Sequence, residues 1–210
     1  MIFLSKLSLD LGNPKLRSVL VNHYELHRTL LKAFPEQLAE SERVLYRMET
    51  SQQSGLQLPV LVQSCCKPDW DSLVKIGIFQ SPAQVKGYEP VFQTGQVLVF
   101  RLLGNPTMRL KQSRKRIGIY HKAGAADWLG RKARTGGFEL LDVSINMQGM
   151  RIGIKYEKSK ENTLKHYGVL FEGKLIVGDS EIFRQTIYQG IGSGKAFGYG
   201  LLSVARADYN

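Results

Sequence analysis

The chain has 210 residues, with 29 Lys plus Arg against 18 Asp plus Glu, a formal net charge of +11 and a pI near 9.7. Hydrophobic residues make up 43% of it, enough for a folded core, yet no apolar run reaches the roughly 18 residues that span a bilayer. The length suits one large domain or two of about 100 residues, and the basic excess predicts a polyanionic partner bound through counterion release rather than a membrane protein.

The first segment, MIFLSKLSLDLG, alternates apolar and polar residues as a half-buried strand over 2–10 does. It lacks the basic start and long apolar stretch of a secretory leader, so a cytoplasmic protein is expected. Asn22, followed three residues later by Glu25, reads as an N-cap with its reciprocal acid and predicts a helix over 23–34, ending before Pro35. Strands over 43–49 and 59–66, with a turn from Ser51 to Gly55, come next. A poor helix over 69–76, a long loop over 77–95 and a strand over 96–104 complete a β-α-β-β-α-β order. Cys65 and Cys66 are adjacent, which suits neither a disulfide framework nor the spacing of a zinc knuckle.

The order recurs. A strand over 115–120 leads to a helix over 122–134 stopped by Gly136 and Gly137, then to strands over 138–146 and 150–156. An extended stretch over 164–177 is expected to turn at Glu172-Gly173, a helix over 180–189 is capped by Asp179, and a final strand covers 199–206. The predicted fold is therefore α+β, with tandem ferredoxin-like (RRM-like) domains over 1–108 and 109–210.

Candidate chemistry concentrates in Tyr24-Glu25-Leu26-His27-Arg28-Thr29-Leu30-Leu31-Lys32-Ala33-Phe34. Tyr24 and His27 stand three apart in the first turns of the expected helix, and Arg28 and Lys32 continue the row. The free N–H groups of a helix start favour a phosphate. On a helical wheel His27 also lies between Leu30, Leu31 and Phe34, so a histidine at the edge of the core explains the same spacing. His23 and His27 stand four apart, but no third metal ligand follows at a recognisable spacing, and neither metal nor cofactor is expected.

Five cations, Arg109, Lys111, Arg114, Lys115 and Arg116, crowd into eight residues around an expected loop or hairpin, more than a solvated turn needs. Arg131, Lys132 and Arg134 on the next helix, and Lys155, Lys158 and Lys160 near a strand turn, extend the same candidate nucleic-acid surface. The segment GIGSGKAFGYG, with Lys195, evokes a phosphate loop. Gln189 stands where the first glycine should be, Ala196 replaces the magnesium-binding hydroxyl, and the segment precedes a strand, so nucleotide hydrolysis is rejected. KAFGYG shares positions with an RRM stacking strand, though in the final strand and not a central one.

YELHRTLLKAF after the first strand, RLLGNPTMRL followed by KQSRKR, and the terminal GIGSGKAFGYGLLSV together resemble the CasE family of CRISPR-associated endoribonucleases. The resemblance implies two ferredoxin-like domains, a place among other Cascade subunits, and cleavage of a CRISPR repeat RNA hairpin at its base to give mature crRNA. Carried over by position, it makes Tyr24 and His27 active-site residues and Lys32 a cationic stabiliser. It implies attack by the RNA's own 2′-hydroxyl without a metal, leaving a 2′,3′-cyclic phosphate, with Arg28 and the basic segments gripping an A-form stem. The rival reading is a noncatalytic RAMP-like RNA-binding subunit with the same fold and charge.

Overall fold

The computed structural model describes residues 1–37, 42–49, 55–157 and 160–207. Its chain forms two compact units, one of Met1–Glu89 with Ile152–Lys165 and Ala196–Gly198, the other of Pro90–Arg151 with His166–Lys195 and Tyr199–Asn210.

In the first unit the order is β1 (Ile2–Asp10), α1 (Pro14–Val21), α2 (His23–Leu31), β2 (Val44–Met48), β3 (Gln57–Ser64), α3 (Asp71–Val74) and β4 (Phe79–Tyr88). The strands make one sheet in the order β2-β3-β1-β4, with β1 antiparallel to both β3 and β4. The period-two pattern of β1 buries Leu7 and Leu9 completely. Leu26 and Leu30, four apart on α2, meet them together with Tyr46, Val60 and Val62. Burying a leucine side chain in such a layer contributes about 1.5–3 kcal/mol. Trp70 joins this core and donates its indole N–H to Ser5 Oγ at 3.1 Å, which satisfies both buried polar groups.

The second unit runs β5 (Val97–Gly104), the hairpin of β6 (Thr107–Arg109) and β7 (Arg116–Gly118), α4 (Lys122–Thr135), β8 (Phe138–Glu157), β9 (Lys160–Val177), α5 (Ser180–Gln189), a 3₁₀ turn (Lys195–Phe197) and β10 (Leu202–Arg206). The distal parts of β8 and β9 and the end of the 3₁₀ turn belong to the first unit. Its sheet order is β10-β5-β9-β8. Both sheets thus place the first and third strands of a βαββαβ unit at the centre, the ferredoxin-like arrangement expected from the sequence. Phe171 stacks on Trp128 of α4 at 5.8 Å between centroids, and Phe183 of α5 packs edge-on to Phe138.

Several expected elements are corrected. The stretch 77–95 is not all loop, because Phe79–Tyr88 pairs with β1 as the fourth strand of the first sheet. Its Pro82, Gly87 and polar residues hid it, and such residues are tolerated at a sheet edge. The strand expected over 96–104 instead opens the second unit, so the division falls at Glu89/Pro90 and not at 108/109. The strand expected over 115–120 is the short β7, paired with β6 and, among the described residues, with no other strand. The two strands over 138–156 are one, and Glu172-Gly173 lies within β9 and closes no turn. Gly173 is there because a Cβ would collide with the carbonyl of Asp142. The helix over 23–34 ends earlier, at Leu31, and is preceded by the unforeseen α1. KAFGYG lies in the 3₁₀ turn and the loop before β10, with Phe197 and Tyr199 buried, and so provides no stacking strand. Most of the Ser51 to Gly55 turn lies outside the described residues.

Candidate active site and nucleic-acid interface

Asn22 organises the start of α2. Its Oδ1 accepts from Tyr24 N at 3.1 Å as the predicted cap, and also from Ile154 N at 3.1 Å, while its Nδ2 donates to Ile154 O at 2.7 Å. One carboxamide therefore caps the helix and holds β8 beside it, satisfying three backbone groups. Glu25 does not complete a capping box. Its carboxylate pairs with Arg28 at 3.1 Å, three residues on and largely in solvent, a geometry of small energetic worth.

Behind the helix, His27 stacks on Tyr46, with ring planes 13° apart and centroids at 6.0 Å. The Tyr46 hydroxyl is shared between the carbonyls of His23 at 3.3 Å and Ala196 at 3.1 Å. Tyr24 meets the buried Phe197 ring at 6.2 Å. Gly153 makes room for Phe197, since a Cβ there would strike its ring and approach Asn22 Oδ1. Tyr46, Phe197 and Gly153 escaped the sequence reading because nothing in linear spacing links three distant segments to one helix start.

Burial lowers the His27 pKa to about 4, and its Nδ1 is buried with no hydrogen-bond partner among the described residues. The ring is therefore uncharged at neutral pH. Lys32 is the exposed C-cap residue of α2. Five residues beyond His27, it sits about 140° round and about 7.5 Å along the helix, so α2 alone does not bring the two together.

The basic segment is the β6–β7 hairpin, exposed from Met108 to Ile117. Arg109 faces Arg116 across the strands, and Arg114 holds a positive φ of 53° in the turn. Like charges directly opposite repel, so the pair gains from a bound anion. Beside the hairpin lies a cleft of about 1010 Å³ whose lining includes Arg109, Arg116, Arg131, Lys132, Lys195 and Trp128. It gathers five cations from hairpin, helix and glycine-rich loop. Lys111, Arg114, Lys115 and Arg134 are exposed outside that lining. Lys158 lies outside the described residues, as do the side chains of Lys155 and Lys160. Among the described residues no three His, Cys, Asp or Glu side chains gather as a metal set, and no helix is long and apolar enough to cross a membrane.

The two ferredoxin-like units place the chain in a class of tandem α+β folds, and residues 2–206 match the family model described as CRISPR associated protein. The chain belongs to the Cse3/CasE family of CRISPR-associated endoribonucleases. It is 40% identical to the CRISPR-associated endoribonuclease Cse3 of Thermus thermophilus over 218 aligned positions, covering 97% of this chain and all of that one. It is 26% identical to the CRISPR system Cascade subunit CasE of Escherichia coli, covering 87% and 91% of the two chains. The structure of Thermus thermophilus Cse3 bound to an RNA representing a pre-cleavage complex superposes with a TM-score of 0.81 at 38% identity, covering 97% and 98%.

Proposed function

We propose that this chain cuts CRISPR repeat RNA at the base of its hairpin, releasing mature crRNA, and does so as a cytoplasmic subunit of Cascade. The observation that carries the chemistry is the uncharged His27 one helical turn from Tyr24, at a helix start held by Asn22. The Thermus relative is named an endoribonuclease and was solved with a pre-cleavage RNA, and the Escherichia relative is named a Cascade subunit.

In the proposed reaction His27 accepts the proton of the 2′-hydroxyl at the cut while Tyr24 orients that hydroxyl. The 2′-oxygen bonds to the adjacent phosphorus, the bond to the 5′-oxygen breaks, and that oxygen takes up a proton from water, which balances the one His27 accepted. The products are a 2′,3′-cyclic phosphate and a 5′-hydroxyl, and Lys32 opposes the charge on the pentacoordinate phosphate. Because the nucleophile belongs to the RNA, no metal-bound water is needed. The hairpin and cleft cations, with Arg28, grip the phosphates of an A-form stem, whose deep major groove side chains read poorly.

The test is single-turnover cleavage of the repeat hairpin in excess EDTA, with and without a 2′-deoxy nucleotide just upstream of the cut. Cutting in EDTA, abolished by the deoxy substitution with binding retained, is the expected result. Cleavage lost on chelation and restored by magnesium overturns the metal-free reaction. Tight binding without cleavage under any condition favours the noncatalytic RNA-binding subunit.

A further inference from the structure

Asn105 follows β5 directly and is 3% exposed. Its amide orientation follows from its partners. The backbone N–H of Tyr167 only donates, so the oxygen 3.3 Å from it is Oδ1. Nδ2 then faces His166 Nδ1 at 2.8 Å and Ser193 Oγ at 3.4 Å. An amide nitrogen has no lone pair to offer, so His166 Nδ1 is the acceptor and the neutral ring carries its proton on Nε2. Burial also lowers the His166 pKa, which favours that uncharged ring.

This side chain stands at a junction. From Asn105 the chain passes through Pro106 into β6, which forms one lip of the basic cleft, and Ser193 with Lys195 lies on another. The loop carrying Ser193 has positive φ at Gly190, Gly192 and Gly194, a backbone that needs ties from outside to hold one shape. Its ends are held by Ile191 N donating to Gly200 O and Gly200 N donating to Leu103 O, both at 2.8 Å. Between those ends, Asn105 reaches Ser193.

We propose that Asn105 is a positioning residue that ties the root of the β6–β7 hairpin to β9 and to the glycine-rich loop, setting the spacing at which Arg109, Arg116 and Lys195 grip RNA phosphates. The proposal rests on the RNA reading of the cleft. It predicts that Asn105 and Ser193 act as one unit in binding, which independent packing roles do not.

The experiment is a double-mutant cycle in the full chain, with Asn105→Ala, Ser193→Ala and the pair, read by repeat-hairpin Kd on preparations whose melting temperature shows them folded. Asn105→Ala is expected to weaken binding roughly 10-fold and Ser193→Ala roughly 3-fold, with the pair no worse than Asn105→Ala alone. ¹⁵N NMR of the imidazole should show Nδ1 of His166 unprotonated in the wild type and a changed tautomer balance in Asn105→Ala. If the alanine variant does not fold, Asn105→Asp keeps the shape and the acceptor facing Tyr167, and the same cycle is run in that background. Multiplying, independent losses in Kd, or a protonated Nδ1 in the wild-type protein at neutral pH, overturn the bridge. A wild-type protein with no affinity for the hairpin overturns the RNA reading instead, while the NMR signature still tests the Asn105–His166 bond.

Discussion

The imidazole of His27 lies nearly parallel to the ring of Tyr46, whose hydroxyl is anchored on the carbonyls of His23 and Ala196. The contact joins the two readings of this histidine. One ring face packs at the edge of the core, and the burial that results keeps the ring uncharged at neutral pH. A packed histidine and an uncharged one are thus the same residue, and packing sets its protonation state.

His27→Ala should slow single-turnover cleavage by roughly 100-fold or more, the scale of general acid–base catalysis. Hairpin affinity should change little, because the basic cleft is untouched. Cleavage rate, affinity and folded fraction measured on one preparation check this. A stable, tight-binding variant that cleaves at the wild-type rate removes His27 from the chemistry.

His27 also predicts an acid limb in stability. Its pKa is about 4 in the folded chain against 6.5 for the ordinary side chain, so between those values the unfolded chain binds a proton that the folded chain does not. The associated stability is complete above pH 6.5 and is lost as the pH falls to 4, on the order of 3 kcal/mol at about 1.36 kcal/mol per pKa unit. His166, also lowered by burial, adds in the same direction. Urea unfolding of wild type and His27→Gln at steps from pH 7 to 4 should show the wild type losing more stability on acidification. Parallel curves refute the shift.

The hairpin separates charge from structure. Changing Arg109, Arg114 and Arg116 together to Ala should weaken repeat-hairpin binding and lower its salt slope by up to about 3 if each meets a phosphate. The melting temperature should not fall, since the variant removes the repulsion between Arg109 and Arg116. Arg114→Gly is the sharper test, because the left-handed backbone at φ 53° costs an ordinary residue about 1 kcal/mol and glycine little. It should keep or raise stability while weakening binding. Titrations at several KCl concentrations, paired with melting curves, read both effects, and unchanged affinity in the triple variant returns the segment to ordinary solvated surface.

The sequence alone determined what depends on neighbours along the chain. The Asn22 cap, the Asp179 cap, the Gly136 stop and the period-two strand over 2–10 all appear as expected, because caps and periodicity are set by residues within a turn or two. The crowding of cations over 109–116 was legible for the same reason; the βαββαβ repeat was expected too, but with 96–104 closing the first copy and 115–120 opening the second, where Phe79–Tyr88 and Val97–Gly104 stand. Tertiary structure decided the rest. Phe79–Tyr88 became a strand because β1 offered it an open edge, although its own residues argue for a loop. Only folding packed Tyr46 against His27 and brought Ile154 to Asn22, and only folding tied Asn105 to His166 and Ser193. These contacts cross intervals of 19 to 132 residues, over which side-chain spacing carries no phase, so pairing and burial fix them instead. The protonation state of His27 belongs with them, because desolvation depends on what the fold stacks against the ring.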